Sequence, residues 1–223
     1  MLDDKIRSLL PAVANLPTHN TGLVLGIVKE LSGDNAPKAR EAFLQALKSL
    51  EKPLVKAVTA ALLVMAGIVS VAPTNENFVA DKKFVVNTTA TATVKIYELG
   101  TNFKVWFLKK VEAPFAGSEL LYQKLVTSSK NTPIISELGG EKKAETTLTE
   151  MFFLMEKQGR GQDGDLLTNG YANIFYIRDV DGVLRAVCVY WGGRGWRVNA
   201  CPTDNPHGWS AGPRVFSGNS DTV

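Results

Sequence analysis

The chain has 223 residues, 45% hydrophobic and 21% charged, a composition that suits a packed globular protein and excludes disorder along its whole length. Its net charge of +3, from 25 basic and 22 acidic residues, is too near balance to mark a dedicated nucleic-acid surface. Two cysteines, Cys188 and Cys201, with no C-x-x-C and no Cys/His ligand spacing, argue against a disulfide scaffold, a structural zinc site or any other bound cofactor.

The opening residues MLDDKIRSLLPAVANLP place two aspartates where a secretory signal carries positive charge, and no long apolar core follows, so the chain reads as cytoplasmic. In that setting Asn87-Thr88-Thr89 is a chance sequon. Ile6, Leu9, Leu10 and Val13 form one apolar face behind Asp3 and Asp4, in a helix that Pro11 shortens. A polar break at Thr18-His19-Asn20-Thr21 precedes Leu23, Val24, Ile27, Val28 and Leu31 at helical spacing, closed by Ser32-Gly33-Asp34. A third helix follows an Asn35 cap and Pro37 in its first turn, with Ala39, Phe43, Ala46, Leu47 and Leu50 in a stripe.

Nothing from Ala57 to Asn75 is charged. A membrane span needs about 20 strongly apolar residues to cross roughly 30 Å of hydrocarbon. The stretch from Leu54 to Pro73 is rich in Ala, Gly, Thr and Ser, and it reads first as a helix buried at the centre of a bundle. A membrane segment and a packing surface between subunits are the other readings. Asn75 to Asp81 is polar and reads as a linker.

Beyond it, Lys83 to Asn87 and Thr91 to Leu99 have the β-branched alternation of strands. Asn102 to Glu112 reads as a helix, because Phe103, Trp106, Phe107 and Val111 share a face. Leu120 to Val126 fits strand or helix equally. Glu141 to Lys157 reads as one long amphipathic helix, with Leu148, Met151, Phe152 and Met155 in a stripe and Gly159 ending it. The loop holding Gly159, Gly161, Gly164 and Gly170 matches no phosphate-binding pattern and reads as a mobile connector.

From Gln158 onward the chain has neither lysine nor glutamate. Tyr171 to Arg178, Val183 to Trp191 and Trp196 to Cys201 are three strand-like runs joined by Asp179-Val180-Asp181-Gly182 and Gly192-Gly193-Arg194-Gly195, an antiparallel meander over 171–201. Setting Trp191 opposite Trp196 puts Val187, Val189, Val198 and Ala200 on one face, and Ala186, Cys188, Asn199 and Cys201 on the other. In the tail, Val215 and Phe216 suggest an edge strand, and fraying is expected after Ser217. The fold expected is α+β: a helical bundle over 1–75, then a mixed region over 76–223 whose C-terminal meander is covered by the 141–157 helix.

Three site chemistries follow from residue types. Arg194, Trp196 and Arg197 at one hairpin, with Arg178 and Arg185 at the other, join guanidinium to aromatic, which grips carboxylates or stacks on bases. Against this stands a plain reading, in which the tryptophans are core and the arginines pair with Asp179 and Asp181. A thiolate enzyme needs a base and an orienting group, and Cys188 or Cys201 with His207 and Asp204 or Asn205 supplies those types. A metal at His207 and Asp204 has too few ligands. The leading expectation is a non-enzymatic binding or assembly protein, with the helical region as the associating part, for a protein partner or a second copy, and the Arg/Trp hairpin surface as the contact. The alternatives are a small cysteine-dependent hydrolase or transferase, and a weak nucleic-acid binder.

Overall fold

A computed structural model describes residues 61–218. The three helices expected before residue 53, and the tail after Gly218, lie outside these residues. Ten strands and five helices follow in chain order. β1 is Leu63–Val71 and β2 Phe78–Val79, followed by α1 at Ala80–Lys83, β3 at Ile96–Leu99 and α2 at Thr101–Phe107. Next come β4 at Val111–Glu112, β5 at Ser118–Leu125, α3 at Asn131–Glu137, α4 at Glu141–Ala144, β6 at Glu145–Thr146 and α5 at Leu148–Lys157. β7 (Asn173–Arg178), β8 (Leu184–Trp191), β9 (Trp196–Pro202) and β10 (Arg214–Gly218) complete the order.

Eight of the strands form one mixed sheet in the order β1-β5-β10-β7-β8-β9-β3, with β6 added beside β7. This overturns the expected fold class of a helical bundle followed by a meander. Residues 63–71, expected as the bundle's central helix or a membrane segment, are β1, paired antiparallel with β5. Among the described residues no helix is long and apolar enough to cross a membrane. The physical reason lies in LVMAGIVSV: Val64, Ile68, Val69 and Val71 are β-branched and stiff at χ1, and Gly67 weakens a helix. A short apolar run without charge shows no periodicity that separates a buried helix from a strand.

The sheet is not a simple meander. β7, β8 and β9 pair antiparallel with Trp191 opposite Trp196, Cys188 opposite Asn199 and Ala186 opposite Cys201. β10, β6 and β3 then join in parallel, to β7, β7 and β9 respectively. β10 is not the edge strand suggested by the tail sequence, because it is inserted between β5 and β7. The stretches around Lys83 and Thr91 form no long strands, and only Ile96–Leu99 reaches the sheet.

Both faces are covered. On one, Phe103 and Phe107 of α2 and Met151, Leu154 and Met155 of α5 pack with Phe175, Val187, Val189, Trp196, Val198 and Phe216. On the other, Ile134 of α3, Leu138 just after it and Ala144 of α4 pack with Ile174, Tyr176, Ala186, Cys188 and Val215. Burial on both faces explains why β7 reads NIFYIR rather than alternating polar with apolar. The single helix expected over 141–157 is two helices with β6 between them. Thr147 caps α5 through a capping box in which its hydroxyl accepts from the Glu150 amide and Glu150 accepts from the Thr147 amide, so a new helix begins there.

Candidate functional site

The β7–β8 hairpin tip is held by carboxylates. Asp179 accepts from the amides of Asp181 and Val183 at 2.9 Å each, which is the turn itself, and from Arg185 Nε at 2.8 Å. Arg185 lies 4.2 Å from the centre of the Trp106 ring, so this residue ties the hairpin to α2. Burial alone would raise the Asp179 carboxyl, but the Arg185 side chain and the two amides hold it below the ordinary carboxylate range. Arg178 pairs with Glu145 at 3.0 Å and Glu141 at 3.2 Å, fastening the same hairpin to α4. Both arginines of this hairpin therefore serve the fold.

The β8–β9 hairpin divides differently. Trp196 is fully buried, stacks edge-on with Trp191 and donates its indole N–H to the Gln158 carbonyl at 3.1 Å. Arg197 pairs with Glu98 of β3 at 3.0 Å. Arg194, at the exposed tip, has no carboxylate within ion-pair distance among the described residues and lies 5.4 Å from the centre of the Tyr97 ring. Of the five residues expected to make a contact surface, Arg194 alone is displayed free of an ion pair, and Tyr97, not Trp196, is its aromatic partner.

The glycine loop after α5 is packed, not loose. Gln158, buried at its head, donates to the carbonyls of Gln162 and Leu166 and accepts from the Leu166 amide. Gly161 lies so close to Trp191 that a side chain there would strike the indole. A lone Gln at a helix end carries no sequence signal for this role, which the tertiary packing creates.

The thiols sit on the covered face of β8 and β9. Cys188 is buried, and burial pushes its pKa up to about 12. Cys201 is half-buried, and burial raises it too, against the Asn205 and Asn131 side chains. His207 and Asp204 are exposed on the following loop, where the His207 amide donates to Asn205 at 3.0 Å. No hydrogen bond among the described residues joins the imidazole or the Asp204 carboxylate to either sulfur. Asn131 keeps its amide nitrogen unpartnered beneath this loop, while its carbonyl accepts from Tyr176 and Trp209. No group of three metal-ligating side chains occurs among the described residues.

Two shallow hollows flank α5, one of about 350 Å³ beside Phe78 and Phe153, the other of about 250 Å³ beside Val85 and Val94. They share Phe152 and the Lys83–Glu156 pair, which closes at 3.4 Å between exposed side chains. Neither is lined by a cysteine or a histidine.

β1 carries three exposed apolar side chains, Val64, Met65 and Ile68, at 51%, 53% and 55% exposure. Only β5 flanks this strand among the described residues. On one face Ile68 lies opposite Leu121, and Met65 opposite Gln123. A bulge at Ala66 shifts the register, and Gly67–Val71 beyond it runs regularly.

Compared with protein-family models, with curated proteins and with solved structures, the chain finds no match.

Proposed function

We propose that this chain is a non-enzymatic assembly protein that associates with a second copy of itself through β1. The observation that carries the reading is β1, which among the described residues has one partner strand, and which runs nine residues without a charge and with three large apolar side chains exposed. Unpaired backbone N–H and C=O groups along an apolar edge are a template for another strand, and natural edges are normally guarded by charge, proline or brevity. Here the bulge at Ala66 is the one guard present. An extended, uncharged strand suits this edge, because the exposed apolar side chains of β1 gain most from an apolar neighbour. Among the described strands longer than two residues, β1 alone has that composition. An antiparallel copy meets no like charge and continues the sheet across a twofold axis. The two free thiols accord with a cytoplasmic setting.

Light scattering on the full chain tests this reading. A dimeric mass is expected for the parent protein, and a monomeric mass with unchanged far-ultraviolet circular dichroism for Ile68→Lys. A monomeric parent, or a dimer that survives both Ile68→Lys and Met65→Lys, would overturn it.

A further inference from the structure

At the opposite edge of the sheet, three segments distant in sequence bring cations together. The Lys95 amide donates to the Gly159 carbonyl at 2.8 Å, which places Arg160 beside it. The Lys95 carbonyl accepts from the Trp196 amide at 2.6 Å, and Gly195 lies against that same carbonyl, which places Arg194 on the other side. Lys95, Arg160 and Arg194 therefore issue from adjacent backbone positions, and none has an ion-pair partner among the described residues. Of the acidic residues of the neighbouring segments, Glu98 and Asp165 are engaged by Arg197 and Lys157, and Asp163 is exposed in the loop after Arg160. The Arg160 guanidinium donates to the Ala90 carbonyl at 3.1 Å, and the residue stays exposed.

Two aromatic rings border the cations. Tyr97 is half-buried against Gly192, where a side chain would press on its ring, and the Arg194 guanidinium lies over the ring at 5.4 Å from its centre. Gly193 takes a φ of +78°, which a side chain rarely adopts, so the tip stays small. Trp191, half-buried over Gly161, is the second ring.

Cations beside partly exposed aromatic rings are what single-stranded nucleic acids use, since phosphates take the charge and each base offers a π-face. A small phosphate would use the cations and leave the rings idle. We propose that this surface binds single-stranded nucleic acid, with backbone phosphates on Lys95, Arg160 and Arg194 and a base stacked on Tyr97. It is independent of β1 and of the assembly reading.

Fluorescence anisotropy of the full chain with a labelled oligothymidylate about 12 nucleotides long tests the proposal. Neutralising three phosphates predicts that log K falls against log salt with a slope of about −2 between about 50 and 200 mM. Arg194→Ala and Arg160→Ala should each weaken binding and flatten the slope by about 0.7. Tyr97→Leu should weaken it about tenfold at unchanged slope. Ile68→Lys should bind as the parent does, whatever its mass. Absence of binding, equal binding by Arg194→Ala and Tyr97→Leu, or equal competition by a polyglutamate peptide would each overturn the proposal.

Discussion

β1 and β3 are the two edges of one sheet, and they treat water and other chains in opposite ways. β3 has four residues, a register shift before Glu98 and an ion pair from Glu98 to Arg197. β1 has nine residues, no charge and Val64, Met65 and Ile68 exposed. Brevity, a bulge and charge on β3 are the devices that keep sheet edges from pairing, and β1 has one of them. The difference teaches that an apolar strand without charge is not a general property of this sheet's ends, since the same chain makes β3 short, shifted in register and charged. Cations gather beside the guarded edge, where a polar ligand can dock without strand pairing. The apolar surface gathers at the unguarded one.

The contrast can be broken most forcefully at Trp196. Its buried indole anchors β9, on which β3 leans, and bonds the Gln158 carbonyl. Trp196→Ala should cost about 3–5 kcal/mol of unfolding free energy in urea titrations, whereas substitutions at exposed Ile68 should stay within about 0.5 kcal/mol. A loss below about 1 kcal/mol at Trp196 would mean that the guarded edge is not tied to the core as described.

The β1 side is sensitive to pH through Glu150. Its buried carboxylate accepts from Ser118 Oγ at 2.6 Å, and Ser118 lies opposite Val71 at the end of β1. Burial raises the carboxyl above its ordinary 4.5, outweighing the Ser118 and Thr147 hydrogen bonds. The folded state therefore holds a proton that the unfolded state has released. This contribution is fully present below the unfolded value and is lost as pH rises through the folded one. Glu150→Gln should flatten that decline in thermal melts followed upward from about pH 4. Asp179 acts with the opposite sign, because its depressed carboxyl contributes stability that disappears as pH falls through the folded value. A stability curve whose slope is the same in the parent and in Glu150→Gln would remove the β1-side assignment.

The smallest effect belongs to the guard itself. Glu98→Ala removes an exposed ion pair and should cost no more than about 1 kcal/mol. It should leave the molar mass unchanged, because four residues with a bulge still form a poor template. A higher oligomer appearing in Glu98→Ala would show that charge, not length, protects β3.

Several parts of this structure were legible in the sequence. Asp-Val-Asp-Gly and Gly-Gly-Arg-Gly fix the two hairpins and, through the period of two, the register that sets Trp191 opposite Trp196. The faces of β8 and β9 follow from that register, so Val187, Val189, Val198 and Ala200 are recognisable as core, and the plain reading of Trp196 as a core residue follows with them. The helix over 148–157 is legible from its stripe, although not its start, because Thr147 and Glu150 cap it within a run that reads as continuous helix.

What the linear pattern left open was decided by partners far away in the chain. Leu63–Val71 is uncharged, and periodicity is silent where every side chain is apolar or small. Pairing with β5, more than forty residues later, settles it as a strand. Which arginines are structural depended on the nearness of Glu141, Glu145 and Glu98, which no local spacing relates to Arg178 or Arg197. Local propensity and side-chain period act over a few residues and set turns, register and faces. Strand order, parallel pairing and the separation of paired from free charges arise from contacts across the sheet, so only the tertiary structure decides them.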